Sequence, residues 1–185
     1  AVKRLRLPAR EPVLVIGCGA IGGLCALALS RLHDGPVLVA DRNAERAALV
    51  EMVAKARSVA LEAEAIATAL SGARLRYAID ATGSVAAIGA ALNILSGGGA
   101  LALVGISHGK LDLDPNLLVE REIALLGCHA FNQELAEAVS LLPGLAPALE
   151  AFCETIPTLD DIPATYDRLL EGRSPKLKSI FAFAP

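Results

Sequence analysis

Apolar runs of four to eight residues alternate along this chain with longer segments of helical periodicity. Short apolar runs bounded by turn residues are typical of parallel strands buried on both faces, and the longer segments are typical of crossover helices. The pattern predicts an α/β fold with a doubly wound, six-stranded parallel sheet, helices on both faces and right-handed crossovers giving the strand order 3-2-1-4-5-6. The predicted strands are Val13 to Ile16, Val37 to Ala40, Ser58 to Leu61, Tyr77 to Ala81, Ala100 to Val104 and Ile123 to Cys128.

Between these strands the same pattern predicts helices at Ala20 to Leu32, Asn43 to Ala56, Glu62 to Leu70 and Val85 to Leu95, with a short one starting at Pro115. In the C-terminal third we expect three further elements. Asn132 caps a helix that ends before Pro143, Thr158 opens another that reaches about Leu170, and residues 177–183 form a last strand.

Composition narrows the class of protein. A chain of 185 residues with 54% hydrophobic residues is long enough for one domain with its own core. Its net charge of -3 and 3% aromatic content offer neither a basic face nor a stacking surface, so we expect no nucleic-acid partner. No apolar run reaches about 18 residues, so we expect no membrane span. The four cysteines are widely spaced, which predicts free thiols in a reducing, cytoplasmic setting and no metal site.

The segment VLVIGCGAIGG, residues 13–23, carries three glycines at G-x-G-x-x-G spacing directly after the first strand. In a strand-turn-helix unit, Gly17 would permit the sharp turn, Gly19 would let the backbone approach a pyrophosphate, and Gly22 would allow close packing of the helix. The N–H groups of the first helical turn would then face an anion. Glycine turns are common, so the spacing indicates dinucleotide binding only together with an acidic residue further on.

Asp41 closes the second strand in VLVAD, at the distance that a dinucleotide site requires. Its carboxylate can accept hydrogen bonds from ribose hydroxyls but would repel a 2′-phosphate, so NAD is favoured over NADP. Arg42 complicates the choice, because its guanidinium could hold a phosphate or stack on adenine. The alternative for Asp41 is a helix cap or a solvated carboxylate in the turn.

Six segments in order resemble the cofactor-binding half of medium-chain dehydrogenases/reductases, the zinc-type alcohol dehydrogenase superfamily. They are VLVIGCGAIGG, VLVADRN, AIDATGS, LSGGGALALVGIS, REIALLGCHA and KLKSIFAF, which together extend from about Val13 to Phe183. The resemblance implies a Rossmann-type domain that binds NAD for the reversible oxidation of an alcohol to a carbonyl.

The resemblance also implies a set of cofactor contacts at the carboxyl ends of the strands. The residues are Gly17, Gly19, Ala20, Ile21 and Gly22 under the pyrophosphate, Asp41 and Arg42 at the adenosine, Ala81, Thr82 and Gly83 after the fourth strand, Val104, Gly105 and Ile106 at the nicotinamide carboxamide, Cys128 and His129 completing that pocket, and Lys178 near the phosphates. Lys178 could equally be a solvated lysine. His108 and His129 lie near the expected nicotinamide but have no acidic partner implied by spacing, so ordinary loop histidines are the simpler interpretation.

Family members carry a preceding domain that supplies zinc ligands and much of the substrate pocket, and this sequence contains no such region. Residues 1–12 resemble the linker that enters the cofactor domain. We therefore expect the whole chain, 1–185, to form one dinucleotide-binding domain that binds the cofactor without turnover, any zinc lying in the missing domain. The resemblance further implies a homodimer through the exposed edge of the sixth strand.

Two other functions are compatible with the glycine turn. One is a free-standing module that senses NAD(H) and signals through an edge strand. The other is an S-adenosylmethionine-dependent methyltransferase, which also uses a glycine-rich first turn and an acidic second strand end. The later segments ATGS and LSGGGALALVGIS follow the dehydrogenase order and favour the dehydrogenase hypothesis.

Overall fold

A six-stranded parallel sheet forms the centre of the computed structural model, which describes residues 1–129, 134–174 and 176–183. Its strands are β1 (Val13–Ile16), β2 (Val37–Ala40), β3 (Arg57–Ser58), β4 (Tyr77–Asp80), β5 (Ala100–Leu103) and β6 (Ala124–Gly127). The spatial order β3-β2-β1-β4-β5-β6 confirms the predicted topology. β3 has only two residues, Arg57 and Ser58, so the predicted bounds of the third strand, Ser58 to Leu61, were wrong and overlap the observed strand at Ser58 alone.

Helices cover both faces of this sheet, as the near-continuous apolar strands predicted. The helices are α1 (Ala20–Leu32), α2 (Ala44–Ala54), α3 (Ala63–Ala69), α4 (Val85–Ile94), α5 (Pro115–Arg121), α6 (Leu135–Phe152) and α7 (Ile162–Leu170). Val13 and Val15 of β1 belong to one buried cluster, whereas Leu14 and Ile16 belong to the other. Because successive side chains of a strand point to opposite faces, β1 contributes to two cores at once.

Several helices begin where a short polar side chain accepts a hydrogen bond from the first turn. The side chain of Asn43 accepts from the N–H of Arg46, and that of Ser84 accepts from the N–H of Ala87. Asp114 caps α5 ahead of Pro115, the residue at which the sequence predicted a short helix to start. These caps fix where α2, α4 and α5 leave the carboxyl edge of the sheet.

The C-terminal third departs from the sequence expectations. The helix expected to end before Pro143 continues as α6 through Pro143 and Pro147 to Phe152, so that boundary was wrong; the predicted cap Asn132 lies outside the described residues. Phe152 is buried and Leu149 packs against the core, and this packing outweighs the backbone hydrogen bonds that the prolines remove.

A strand that the sequence analysis missed, β7 (Cys153–Ile156), follows α6 directly. It pairs in parallel with β8 (Lys178–Phe181), and the two form a separate two-stranded sheet. The predicted last strand, residues 177–183, is therefore present but shorter. A 3-10 helix, Leu159–Asp161, carries the predicted capping box at Thr158 and leads into α7.

By length and composition, α6 alone among the helices of the described ranges is apolar enough to cross a membrane. It contains Glu137 and Glu150, and most of its side chains are exposed. The assignment rests on length and composition only, and one such helix is weak evidence for a membrane span.

Candidate functional site

The glycine turn after β1 has the geometry that its spacing predicted. Gly17 adopts a φ of +95°, a conformation that side chains other than glycine rarely allow. A Cβ at Gly22 would overlap the carbonyl oxygen of Gly17, so α1 can approach the turn only with glycine at this position. A Cβ at Gly19 would meet no heavy atom of the described residues within 4 Å. The backbone at Gly19 therefore borders open space, and a ligand could reach it there.

Asp41, directly after β2, lies against this turn. One carboxylate oxygen, Oδ2, accepts a hydrogen bond of 2.5 Å from the N–H of Cys18, and Oδ1 accepts one of 2.7 Å from the N–H of Asn43. Each carboxylate oxygen has two lone pairs, so Asp41 can accept further hydrogen bonds from a ligand while it orders the turn. The structure thus brings the glycine turn and the acidic strand end to one crevice.

The loops after β4 and β5 border the same edge of the sheet. Thr82 contacts the turn, because a Cβ at Gly17 would lie 2.8 Å from its side chain. Gly83 and Gly105 approach each other so closely that a Cβ on either would overlap backbone. Ala81 links β4 to this loop and donates its N–H to the carbonyl of Ile16.

Asp80, a residue that the sequence analysis did not single out, organises the loop after β4. It is fully buried, and its carboxylate accepts hydrogen bonds from the N–H and hydroxyl of Thr82 and from the N–H of Gly83. A buried carboxylate is stable only with such donors, so Asp80 fixes the backbone that faces the crevice. Its position at the end of the strand in YAID was the signal that could have identified it.

A polar cavity of about 620 Å³ opens beside Asp41. We call it the β2–α2 cavity; its lining residues are Asp41, Arg42, Asn43, Ala44, Glu45, Arg46, Gly172 and Arg173. Asp41 and Arg42 were predicted here, whereas Arg173 was not. Arg173 follows α7 and lies more than 130 positions from Asp41 in the chain, so no local pattern connects the two.

A second, largely apolar cavity of about 740 Å³, the α1 cavity, lies between α1, α6 and the N-terminal segment. Four predicted contacts, Ile21, Val104, Cys128 and His129, line it. Ile106 follows β5 and is 85% exposed, as expected for a side chain at an open site rather than in a core. Of the residues predicted at the nicotinamide, Val104, Cys128 and His129 therefore line the α1 cavity, whereas Gly105 and Ile106 do not.

Two cysteines near the site are held as neutral thiols. Burial, together with the carboxylate of Asp41, raises the pKa of Cys18 to about 12. Burial likewise raises the pKa of Cys25, in the wall of the α1 cavity, to about 11. Because the thiolate is the reactive form, neither side chain is suited to act as a nucleophile or a metal ligand near neutral pH.

Lys178 and His108 lie away from these cavities. Lys178 opens β8 in the small sheet with an exposed side chain, and it lines neither the β2–α2 cavity nor the α1 cavity. His108 is exposed in the loop between β5 and α5. The cation that the C-terminal segment does bring to the β2–α2 cavity is Arg173.

The described ranges, 1–129, 134–174 and 176–183, contain no group of three or more His, Cys, Asp or Glu side chains that could hold a metal ion. These residues therefore do not fit a zinc ion. The crevice does fit a phosphate-containing ligand, because the backbone at Gly19, the N-cap of α1, borders open space and helix N-termini bind anions.

The strand order and the glycine turn place the chain in the class of Rossmann-type α/β folds. The family model described as "Zinc-binding dehydrogenase" matches residues 22–143, so the chain belongs to the zinc-binding dehydrogenase family. The resemblance inferred from the sequence is thereby confirmed.

Comparisons with individual proteins agree with this family. L-threonine 3-dehydrogenase of Ruegeria pomeroyi is 31% identical over 124 residues, which cover 64% of this chain and 36% of that protein. L-galactonate-5-dehydrogenase of Escherichia coli K12 is 30% identical over 138 residues, covering 72% of this chain and 40% of that protein. The chain thus spans less than half the length of these relatives.

Among solved structures, the short chain alcohol dehydrogenase rspB of E. coli CFT073, complexed with NADH, superposes with a TM-score of 0.84 at 18% identity. The match covers 98% of this chain and 55% of that one. At this level of identity the similarity shows the fold, and it supports the Rossmann-type assignment.

Proposed function

We propose that this chain is the NAD(H)-binding half of a medium-chain alcohol or polyol dehydrogenase. The observation that carries the proposal is the hydrogen bond from the N–H of Cys18 to Asp41, which joins the glycine turn and the acidic strand end in one crevice. In that crevice the pyrophosphate would lie over Gly19, and the adenosine ribose would donate to Asp41. The relative solved with NADH has the same fold.

In a protein as long as these relatives, the bound cofactor would exchange a hydride with an alcohol or carbonyl substrate, because the relatives include an L-threonine 3-dehydrogenase and an L-galactonate-5-dehydrogenase. Ile106, Cys128 and His129 would border the nicotinamide from this half. Hydride transfer requires a substrate carbon held about 3.5 Å from the nicotinamide. We infer that the present chain binds the cofactor without turning over alcohols by itself.

NAD is the proposed cofactor, rather than NADP, because the carboxylate of Asp41 complements ribose hydroxyls and repels a 2′-phosphate. The four cysteines are free thiols, which supports a reducing, cytoplasmic setting. The net charge of -3 supports small-molecule binding over nucleic-acid binding.

The test is a thermal-shift titration with NAD, NADH, NADP and S-adenosylmethionine. A ligand that binds only the folded chain should add about 2.7 kcal/mol to the free energy of unfolding at 100 times its dissociation constant. NAD and NADH should raise the melting temperature most. Stabilisation by S-adenosylmethionine alone would refute the proposal in favour of the methyltransferase alternative.

Asp41 gives a residue-level version of the test. Replacing Asp41 by Ala removes the proposed ribose acceptor and should weaken NAD binding by about tenfold or more, as measured by calorimetry. Asp112→Ala, at an exposed loop carboxylate, is the matched control and should bind NAD like the parent chain. Equal NAD affinity of Asp41→Ala and the parent would remove Asp41 from the site.

A further inference from the structure

The loop between α7 and β8 crosses the turn between β2 and α2. The side-chain amide of Asn43 donates to the carbonyl of Gly172 over 2.8 Å, and Nε of Arg46 donates to the carbonyl of Ser174 over 2.8 Å. These two carbonyls flank Arg173 in the sequence. The main chain on both sides of Arg173 is therefore tied to the element that carries Asp41.

The same loop is anchored from the opposite side. Ser174 is fully buried, and its hydroxyl donates to Glu154 of β7 over 3.3 Å. The carboxylate of Glu154 also accepts hydrogen bonds from Arg168 and from Ser179. Because the loop is held on both sides, little conformational freedom of its backbone would be lost when Arg173 contacts a ligand.

The β2–α2 cavity offers guanidinium groups to an anion. Three arginines, Arg42, Arg46 and Arg173, line it with two carboxylates, Asp41 and Glu45, and the carboxylate of Glu171 paired with Arg173 brings the local net charge to zero. Arg173 also forms an ion pair with Glu171, yet its side chain is 68% exposed. An exposed ion pair is weak, so its guanidinium can exchange Glu171 for a ligand phosphate.

We propose that Arg173 is a specificity-determining residue that, with Arg42, binds the 2′-phosphate of NADP(H). The proposal rests on the proposed function, because it places the adenosine ribose at Asp41. A carboxylate alone would repel a 2′-phosphate. A planar guanidinium group, in contrast, can donate two parallel hydrogen bonds to the oxygens of a phosphate. Arg173 thereby gives the domain measurable affinity for NADP beside its preference for NAD.

The experiment measures dissociation constants by calorimetry for the parent chain, Arg173→Ala and Arg74→Ala. The ligands are NAD, NADP, 5′-AMP and adenosine 2′,5′-bisphosphate. Arg173→Ala should weaken NADP and the bisphosphate by about tenfold while changing NAD and 5′-AMP by less than about twofold. Arg74 is exposed and does not line the cavity, so Arg74→Ala should match the parent for every ligand.

Each outcome decides between the alternatives. Equal weakening of NAD and NADP by Arg173→Ala, or no weakening of either, would overturn the role of Arg173. A parent chain that binds NAD but not NADP would also overturn it, and would leave the proposed function intact. A parent chain that binds neither dinucleotide would overturn both. Circular dichroism of Arg173→Ala should match the parent, since the loop is anchored by neighbours of Arg173.

Discussion

Gly19 and Gly22 lie three residues apart, yet their surroundings are opposite. A side chain at Gly19 would extend into open space, whereas one at Gly22 would overlap the backbone of Gly17. A single glycine motif therefore combines a position that borders open space with a position at which the fold requires glycine. The two roles can be separated by replacing each glycine with alanine, which adds one methyl group at that position.

Gly22→Ala should lower the free energy of unfolding by about 2 kcal/mol or more, because the new Cβ forces backbone to move. Gly19→Ala should cost less than about 1 kcal/mol, the loss expected at a helix N-cap, but should weaken NAD binding by obstructing the pyrophosphate. Thermal melts and calorimetric titrations measure the two effects.

Gly89→Ala is the control, because Gly89 lies inside α4 and a Cβ there would also meet no described heavy atom within 4 Å. This variant should be as stable as the parent or more so, by up to about 1 kcal/mol, and should bind NAD normally. Similar losses of stability in Gly19→Ala and Gly22→Ala would contradict the division of roles.

At the scale of single elements, Glu154 of β7 connects α7, β8 and the loop that carries Arg173. Burial would raise the pKa of this carboxyl, but hydrogen bonds from Ser179, Arg168 and Ser174 outweigh that effect and hold its pKa below the usual value. A carboxyl whose pKa is lower in the folded state stabilises the fold above its unfolded pKa. The contribution is lost as the pH falls through the folded pKa.

Glu154→Gln should therefore destabilise the chain by about 1 to 2 kcal/mol at neutral pH, because the charged hydrogen bonds are lost. The difference from the parent should shrink as the pH falls from the usual glutamate pKa of 4.5 through the lower folded pKa of Glu154, where the parent's own carboxyl becomes protonated. Urea unfolding at a series of pH values measures this. Glu120→Gln, at an exposed glutamate of α5, should show no comparable pH dependence; a pH-independent difference for Glu154→Gln would contradict the assignment.

The elements also show what the sequence could predict. α1 begins and ends where periodicity placed it, since its apolar spacing, the glycine turn and the final Gly35-Pro36 are all local signals. α6 extends past Pro143 because its last turns pack on the core, and β7 was missed because its four residues are at most half-buried and pair only with the distant β8. Arg173 was missed for the same reason: its place beside Asp41 depends on contacts between distant segments.

At the scale of the whole molecule, β6 ends the sheet, with no strand of the described residues on its outer side. The N–H groups of Ala124 and of Cys128 donate inward to β5. Because successive N–H groups of a strand point to opposite sides, those of Leu125 and Gly127 point away from the sheet. We propose that two copies pair along this edge, forming a homodimer whose sheet continues through the two-fold axis.

Light scattering should give the mass of a dimer at micromolar concentration. Gly127→Pro removes one outward N–H at a position where an edge strand tolerates proline, so it should shift the chain towards the monomer while leaving the circular dichroism spectrum unchanged. A parent chain that is monomeric, or a Gly127→Pro variant that dimerises as well as the parent, would refute pairing along β6.

Within the described residues, no strand of the main sheet pairs with β7 or β8. The β2–α2 cavity is lined by the turn after β2, by the start of α2, and by Gly172 and Arg173 of the loop that precedes β8. A dinucleotide bound in this cavity would connect the main sheet and the small β7–β8 unit through non-covalent contacts. Two parallel strands are marginally stable by themselves. A bound dinucleotide should therefore slow both proteolysis and amide hydrogen exchange of the β7–β8 unit.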